Sequence, residues 1–240
     1  MRLYGKNPVL ERIKSNPKSI RKIFIQEAHP EAAYLRLKAK KWNIPFFVIP
    51  KEKMHKFGQH HHSQGIMIEI DEFPYIEFGE LLDTAVQKQT TLVFLDGLND
   101  PQNLGGVIRS LACLGEFSIV LPKHGSVEVT EAVLRVASGG ENHVSVSKVA
   151  NLGNAISKAK DAGYWIAGTV VDGGQNLFDA KFSFPLAFVV GSEQKGIRDI
   201  LRRYLDLEVT VPMAPTRMSL NVAHATAIFA YEITKQKNQT

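Results

Sequence analysis

The chain has 240 residues, 44% of them hydrophobic, and a formal net charge of +5. That length and apolar fraction support a sizeable core and exclude a disordered chain. No apolar run approaches the roughly 20 residues that span a bilayer. The first residues lack the apolar stretch of a secretory signal, and a single cysteine, Cys113, forbids an internal disulfide. The expectation is a cytoplasmic protein with no membrane partner. Flanked by Leu111, Ala112 and Leu114, Cys113 reads as a buried structural thiol. Charge is unevenly spread: residues 1–72 carry 14 Lys and Arg against 7 Asp and Glu, and residues 73–240 carry 15 against 17. A basic first part joined to a near-neutral remainder suits a chain that meets a polyanion; a solvated lysine-rich surface is the plain alternative.

In chain order, Asn7-Pro8 predicts a helix start, with the asparagine as cap and the proline in the first turn. That helix runs through 9–13 and breaks at Asn16-Pro17. Residues 20–26 alternate apolar and polar, as a half-buried strand does. Ala32, Leu35, Ala39 and Trp42 share helical spacing within a helix over 31–42. A buried strand at 45–50, a short helix at 51–58 ending in glycine and a strand at 64–70 follow, and 71–80 reads as a linker rich in acids. Thereafter apolar strands at 92–97, 118–122, 143–149, 164–170, 186–191 and 207–212 alternate with helices near 103–114, 130–138, 151–162, 195–204 and 219–236. Near-continuous apolar strands separated by helices predict an α/β fold, a mostly parallel sheet with helices on both faces. The expected division is a small α/β unit over 1–72, a linker and first helix over 73–90, and the parallel domain over 91–240.

Ligands of such sheets bind outside the carboxyl ends of the strands. The loops there contain Asn103, Arg109, Gly191, Glu193, Gly196, Ser219 and Asn221. Taken singly, each has an ordinary reading: Gly105-Gly106 as close packing, Glu193 as a helix-dipole acid, Ser219 and Asn221 as helix caps. Their coincidence at corresponding strand ends points to one site. The run QHHHSQG (59–65) is not expected to bind metal, since three consecutive histidines converge poorly on one ion and no acid or cysteine stands beside them.

Three stretches, NLGGVIRS (103–110), FVVGSEQKGI (188–197) and VTVPMAPTRMSLNVAHATAIFAYE (209–232), together resemble the three signature motifs of the SpoU branch of the SPOUT RNA methyltransferases. The first part, with YG near its start and QGI at 64–66, resembles the ribosomal-protein-like domain of the ribosomal RNA members. Ala223 stands where serine is frequent, Val211 replaces isoleucine, and Ser63 stands where many members have histidine.

The resemblance implies a C-terminal trefoil knot and transfer of a methyl group from S-adenosyl-L-methionine to a ribose 2′-hydroxyl of RNA. The leading target is a guanosine of large-subunit ribosomal RNA; transfer RNA, or a vestigial site on a non-catalytic RNA-binding protein, are the alternatives. An ordinary dinucleotide-binding oxidoreductase would need a glycine fingerprint that NLGGVIRS does not supply. The resemblance also implies a homodimer and a cofactor pocket made by Thr169, Gly191, Val211, Pro212, Met213, Ser219 and Leu220. It gives Arg109 the catalytic role. A guanidinium with a pKa above about 12 is a poor base, so Arg109 is expected to hold the phosphate beside the target and align the hydroxyl. Asn103 and Glu193 orient Arg109 or the substrate, and Asn221 ties the last helix to the site. The first 72 residues are expected to dock RNA through lysines at 38–56. Trp42 and Phe47 are assigned to the core, with base stacking as the alternative for an exposed ring.

Overall fold

A computed structural model describes residues 1–57, 64–214 and 218–239. The histidine run at 60–62 and the glycine expected to end the short helix, Gly58, lie outside the described residues. The first unit is a four-stranded sheet of β1 (Arg2–Tyr4), β2 (Ile20–Gln26), β3 (Phe46–Ile49) and β4 (Ile66–Ile70), ordered β1-β4-β2-β3. β4 is antiparallel to β1 and β2, and β3 is parallel to β2. Helices α1 (Lys6–Ser15), α2 (Ala32–Trp42) and α3 (Lys51–Phe57) complete the unit. The α1 start differs from the expectation. Its N-cap is Gly5, not Asn7. At φ +92°, Gly5 turns the chain out of β1 directly into the helix. Pro8 still falls in the first turn, where backbone N–H groups lack helical partners. β3 is an edge strand rather than a buried one: Phe47 and Val48 are 43% and 44% exposed. Trp42, at the end of α2, is exposed as well.

The second unit comprises α4 (Phe78–Lys88), β5 (Thr91–Asp96), α5 (Pro101–Leu114), β6 (Phe117–Pro122), α6 (Glu131–Ala137), β7 (Ser145–Val149), α7 (Leu152–Asp161), β8 (Trp165–Thr169), β9 (Gln175–Asn176), β10 (Leu186–Gly191), α8 (Asp199–Arg202), β11 (Leu207–Thr210) and α9 (Val222–Lys237). Its strands run β7-β6-β5-β10-β8-β11-β9, every pair parallel. The segment 71–80 is not all linker. Glu77 caps α4 by accepting from Gly79 N at 2.6 Å and Glu80 N at 3.2 Å. β5, β6 and β10 are buried at every position, because both faces are covered. Successive residues point to opposite faces. Phe94 and Val189 pack with α4 and α7 residues such as Leu81 and Ile156, while Val93 and Phe188 pack with α5 and α9 residues such as Val107 and Phe229. Cys113 is exposed, not buried: α5 turns Leu104, Val107, Ile108 and Leu111 inward and carries Cys113 on its outer side.

The two units are packed together through a buried ion pair. Arg12 on α1 places Nη2 2.9 Å from Glu141 Oε1, with side chains 4% and 0% exposed. Glu141 Oε2 accepts from Gly139 N at 3.0 Å, and Arg12 Nη1 donates to Ser19 Oγ at 3.3 Å. Around this pair Arg2 N donates to Glu131 at 2.6 Å and Glu11 meets His143 at 2.8 Å. Contact is so close that a Cβ on Gly139 would lie 2.6 Å from Glu11 Cβ.

Removing one member of a buried pair strands the other. Glu141→Ala is expected to cost about 3–5 kcal/mol of unfolding free energy, and combining Arg12→Met with Glu141→Leu to recover most of it; urea unfolding followed by circular dichroism reads both. A loss below about 1 kcal/mol, the range of an exposed pair, would remove Arg12 and Glu141 from any docking role. A second outcome concerns pH. The Ser15 hydroxyl, and after it His143, hold the Glu11 carboxyl below its ordinary value. A carboxyl depressed in the folded state stabilises above the usual carboxylate range, and this contribution disappears as pH falls through its lowered folded value. Thermal midpoints measured down from neutral pH should therefore fall more steeply for the wild type than for Glu11→Gln.

Candidate active site

Three turns converge at the carboxyl ends of β5, β10 and β11. The first is the start of α5. Asp100 accepts from Gln102 N at 2.8 Å and Pro101 occupies the first helical position, fixing where the helix begins. Asn103 then falls on the first turn, 8% exposed. The second turn follows β10. Ser192 and Gly196 close a tight loop with hydrogen bonds of 3.2 and 2.9 Å, and Gly196 has φ +64°. The loop folds back onto its own strand, so that a Cβ on Gly191 would lie 2.0 Å from the Gly196 carbonyl carbon. This loop consumes the residues expected to open a helix over 195–204, leaving only Asp199–Arg202 helical. The third is the start of α9, capped by Asn221, whose Oδ1 accepts from Ala223 N at 2.9 Å.

One chain of hydrogen bonds ties the three together. Asn103 Nδ2 donates to Glu193 Oε1. Asn103 Oδ1 accepts from Asn221 Nδ2 at 2.8 Å. The direction is forced by chemistry. An ionised carboxylate only accepts, so Asn103 must present its amide nitrogen to Glu193 and its oxygen to Asn221. Asn221 must then donate, which leaves its oxygen for the unpaired N–H at the start of α9.

Beside this chain lies a cavity of about 360 Å³. Thr169, Gly191, Val211, Met213, Ser219 and Leu220 all line it, as do Glu193 and Asn221. Pro212 does not, and is exposed. Sequence reasoning missed Val171, Ala225 and Phe229 on the wall; the last two belong to a helix face that reads as ordinary core. The lining is apolar side chain and strand-end backbone with few polar groups, the composition of a small-molecule site. A second cavity, of about 660 Å³, holds Asn103, Asp100, His124, Lys195 and Arg198 and shares Ser192 and Glu193 with the first. Sequence reasoning also missed its anchor. Asp96, with a side chain 1% exposed, receives Arg198 Nε at 2.8 Å, Nη2 at 2.6 Å and backbone N at 3.0 Å.

Arg109 is not brought to either cavity. It lies six residues beyond Asn103, about 9 Å further along the axis at 1.5 Å per residue and on another face. It is exposed, and among the described residues it makes no hydrogen bond or ion pair. The glycines before it serve packing. A Cβ on Gly105 would lie 2.5 Å from Val136 Cβ of α6, and one on Gly106 3.0 Å from Ala223 Cβ of α9.

Known proteins resemble this chain over nearly its whole length. Residues 90–231 match the model of the SpoU rRNA methylase family, and residues 2–76 match that of RNA 2′-O ribose methyltransferase substrate binding. A Staphylococcus haemolyticus protein bearing the name "Putative TrmH family tRNA/rRNA methyltransferase" is 32% identical over 241 residues, covering 99% of this chain and 96% of its own. The fold is shared with the SpoU methyltransferase AviRb of Streptomyces viridochromogenes, at a TM-score of 0.83 and 19% identity over 100% of this chain and 90% of that one. It is shared too with the AdoMet-bound rRNA methyltransferase of Sinorhizobium meliloti, at 0.82 and 21% over 98% and 86%. With a family model spanning residues 90–231 and a relative matched end to end, the chain belongs to the SpoU rRNA methylase family.

Proposed function

We propose that this RNA methyltransferase moves the methyl group of S-adenosyl-L-methionine to a ribose 2′-hydroxyl, with a guanosine of large-subunit ribosomal RNA as target. The observation that carries the reading is the union of a cavity lined by apolar side chains and strand-end backbone with the Glu193–Asn103–Asn221 chain on its rim. The pocket fits the cofactor. Gly191 has no space for a side chain, Val211, Met213 and Leu220 offer apolar walls for an adenine, and Glu193 supplies negative charge beside a sulfonium. When bound, the sulfonium supplies an activated methyl group. The protein's task is to hold the hydroxyl in line and manage its proton, with Asn103 and Glu193 at the boundary to the larger cavity where the nucleotide would enter. What supports ribosomal RNA over transfer RNA is the resemblance of the first unit to the domain of the ribosomal RNA members, together with the family whose model the second unit matches. The trefoil knot belongs to this reading as well. Its support is that β10 inserts between β5 and β8, both earlier in the chain, and that α9 returns to pack on α5.

Arg109 fits a homodimer. Its distance from its own chain's pocket makes it a candidate to serve the pocket of a second copy. The outer face around it carries exposed Gln102 and Cys113 on α5, with Ile228 and Tyr231 exposed on the neighbouring α9. On this reading Arg109 clasps the phosphate next to the target ribose.

The direct test is calorimetry with S-adenosylmethionine, with a nicotinamide cofactor as blank, followed by mapping of 2′-O-methyl sites in total RNA with and without the gene. No heat from S-adenosylmethionine would end the reading. Asn103→Ala should lower methyl transfer by about 10²-fold, the cost of a misaligned reactant, while cofactor affinity stays near wild type; loss of cofactor affinity instead would place Asn103 in the pocket wall. Arg109→Ala and Gly191→Val should each be inactive alone. Co-refolded in equal amounts, they should regain about a quarter of wild-type activity, since half the two-fold dimers then hold one complete site. No recovery would place Arg109 in the same chain's site.

A further inference from the structure

The outward face of α2 is built unlike an ordinary solvated helix. Only Leu35 and Ala39 are buried. Leu37, 72% exposed, faces directly away from them; Tyr34, 41% exposed, lies on its flank, and Trp42, 39% exposed, borders the buried stripe beside Leu35. Between them stand Lys38, whose Nζ lies 5.4 Å from the Tyr34 ring centroid, and Lys41, 5.7 Å from that of Trp42. At about 100° per residue, positions 34, 37, 38, 41 and 42 fall within one arc of some 140°, so rings and ammonium groups form a single ridge. Exposed helices usually neutralise such cations with acids three or four residues away. Here, among the described residues, Arg36, Lys38, Lys40 and Lys41 form no ion pair, and the one acid beside the helix start, Glu31, is taken by Lys6 at 2.6 Å. α2 connects β2 to β3, the outer pair of a sheet that docks to the second unit through β1. Two intervening strand spacings beyond the first put β3 about 14 Å from β1, so the second unit leaves the ridge open.

Unpaired cations bind phosphate, and exposed rings offer a flat apolar face. The two together match single-stranded nucleic acid, whose bases stack while its backbone is neutralised; a duplex has no free base face to offer. We infer that the Tyr34–Trp42 ridge of α2 is a docking site for unpaired RNA, in which bases stack on Trp42 and Tyr34 while Lys38 and Lys41 hold the flanking phosphates. This rests on the reading of the chain as an RNA methyltransferase and adds the kind of RNA it grips: an unpaired segment.

Tryptophan fluorescence reads the contact directly. The chain has two tryptophans, and Trp165→Phe leaves Trp42 as sole reporter in the full-length protein. Titration with an unstructured oligouridine should quench Trp42 to saturation; inorganic polyphosphate should not. Trp42→Ala should weaken oligouridine binding about ten-fold, the effect of losing one stacked base, and Trp42→Phe should restore most of it. Changing Lys38 and Lys41 to Gln together should reduce the salt dependence, log K against log salt, by about 1.4, two single-strand phosphate contacts. Unchanged Trp42 emission at saturation, equal quenching by polyphosphate, or equal affinity for an RNA duplex would overturn the assignment. Cofactor calorimetry on the same preparations separates the two readings: heat from S-adenosylmethionine with a silent Trp42 sinks the ridge alone, whereas quenching without such heat sinks the enzyme reading and leaves the ridge.

Discussion

A carboxylate that can only accept hydrogen bonds sets the orientation of everything around it. Glu193 fixes the Asn103 amide, Asn103 fixes that of Asn221, and Asn221 closes the N-terminus of α9. Three segments that are 28 to 118 residues apart in the chain, those of Asn103, Glu193 and Asn221, thereby share one geometry. No member is redundant. An aspartate at 103 would set two carboxylates against each other, and an alanine would leave Glu193 and Asn221 facing unmatched space. Such a chain is fully satisfied or costly, which gives a solvent-facing cleft a fixed form.

The unit carrying the α2 ridge is not a loosely hung arm. Arg12 and Glu141 meet in a buried interface, and the glycine at 139 is needed simply to let α1 approach. A buried pair of this kind adds little net stability over apolar residues of the same size, but removing one partner strands the other as a buried charge. The relation of the first sheet to the pocket is thus held by charge as well as by packing.

Much of this was legible in the residues. Apolar runs such as 186–191 read as strands buried on both faces, and Asn103, Glu193 and Asn221 stood out because polar groups at strand ends have few routine duties. What was not legible depended on what lies across the fold. The approach of Glu11 to Gly139 and the burial of Arg12 cannot be seen from α1 alone, since a helix carries the same pattern whether its arginine meets water or a distant glutamate. Residues 195–198 read as the opening of a helix because the closure of the preceding loop depends on Gly196 adopting a positive φ, which glycine permits but does not announce. Trp42 and Phe47 looked like core because large rings usually are; Phe47 is exposed because strand order puts β3 at the sheet edge, and Trp42 because it ends α2 beside the buried stripe, neither of which periodicity encodes. Arg109 was drawn to the site by its motif, while the turn of α5 carries it elsewhere.

The stretch Ser192–Glu193 forms part of both cavities at once. A partition with two faces cannot move for one occupant alone. On the proposed reading, with the cofactor in the first cavity and the nucleotide in the second, a shift of that backbone by one occupant alters the shape offered to the other, and thermodynamic reciprocity makes the influence equal in the other direction. Under that reading donor and acceptor are coupled through a single peptide segment.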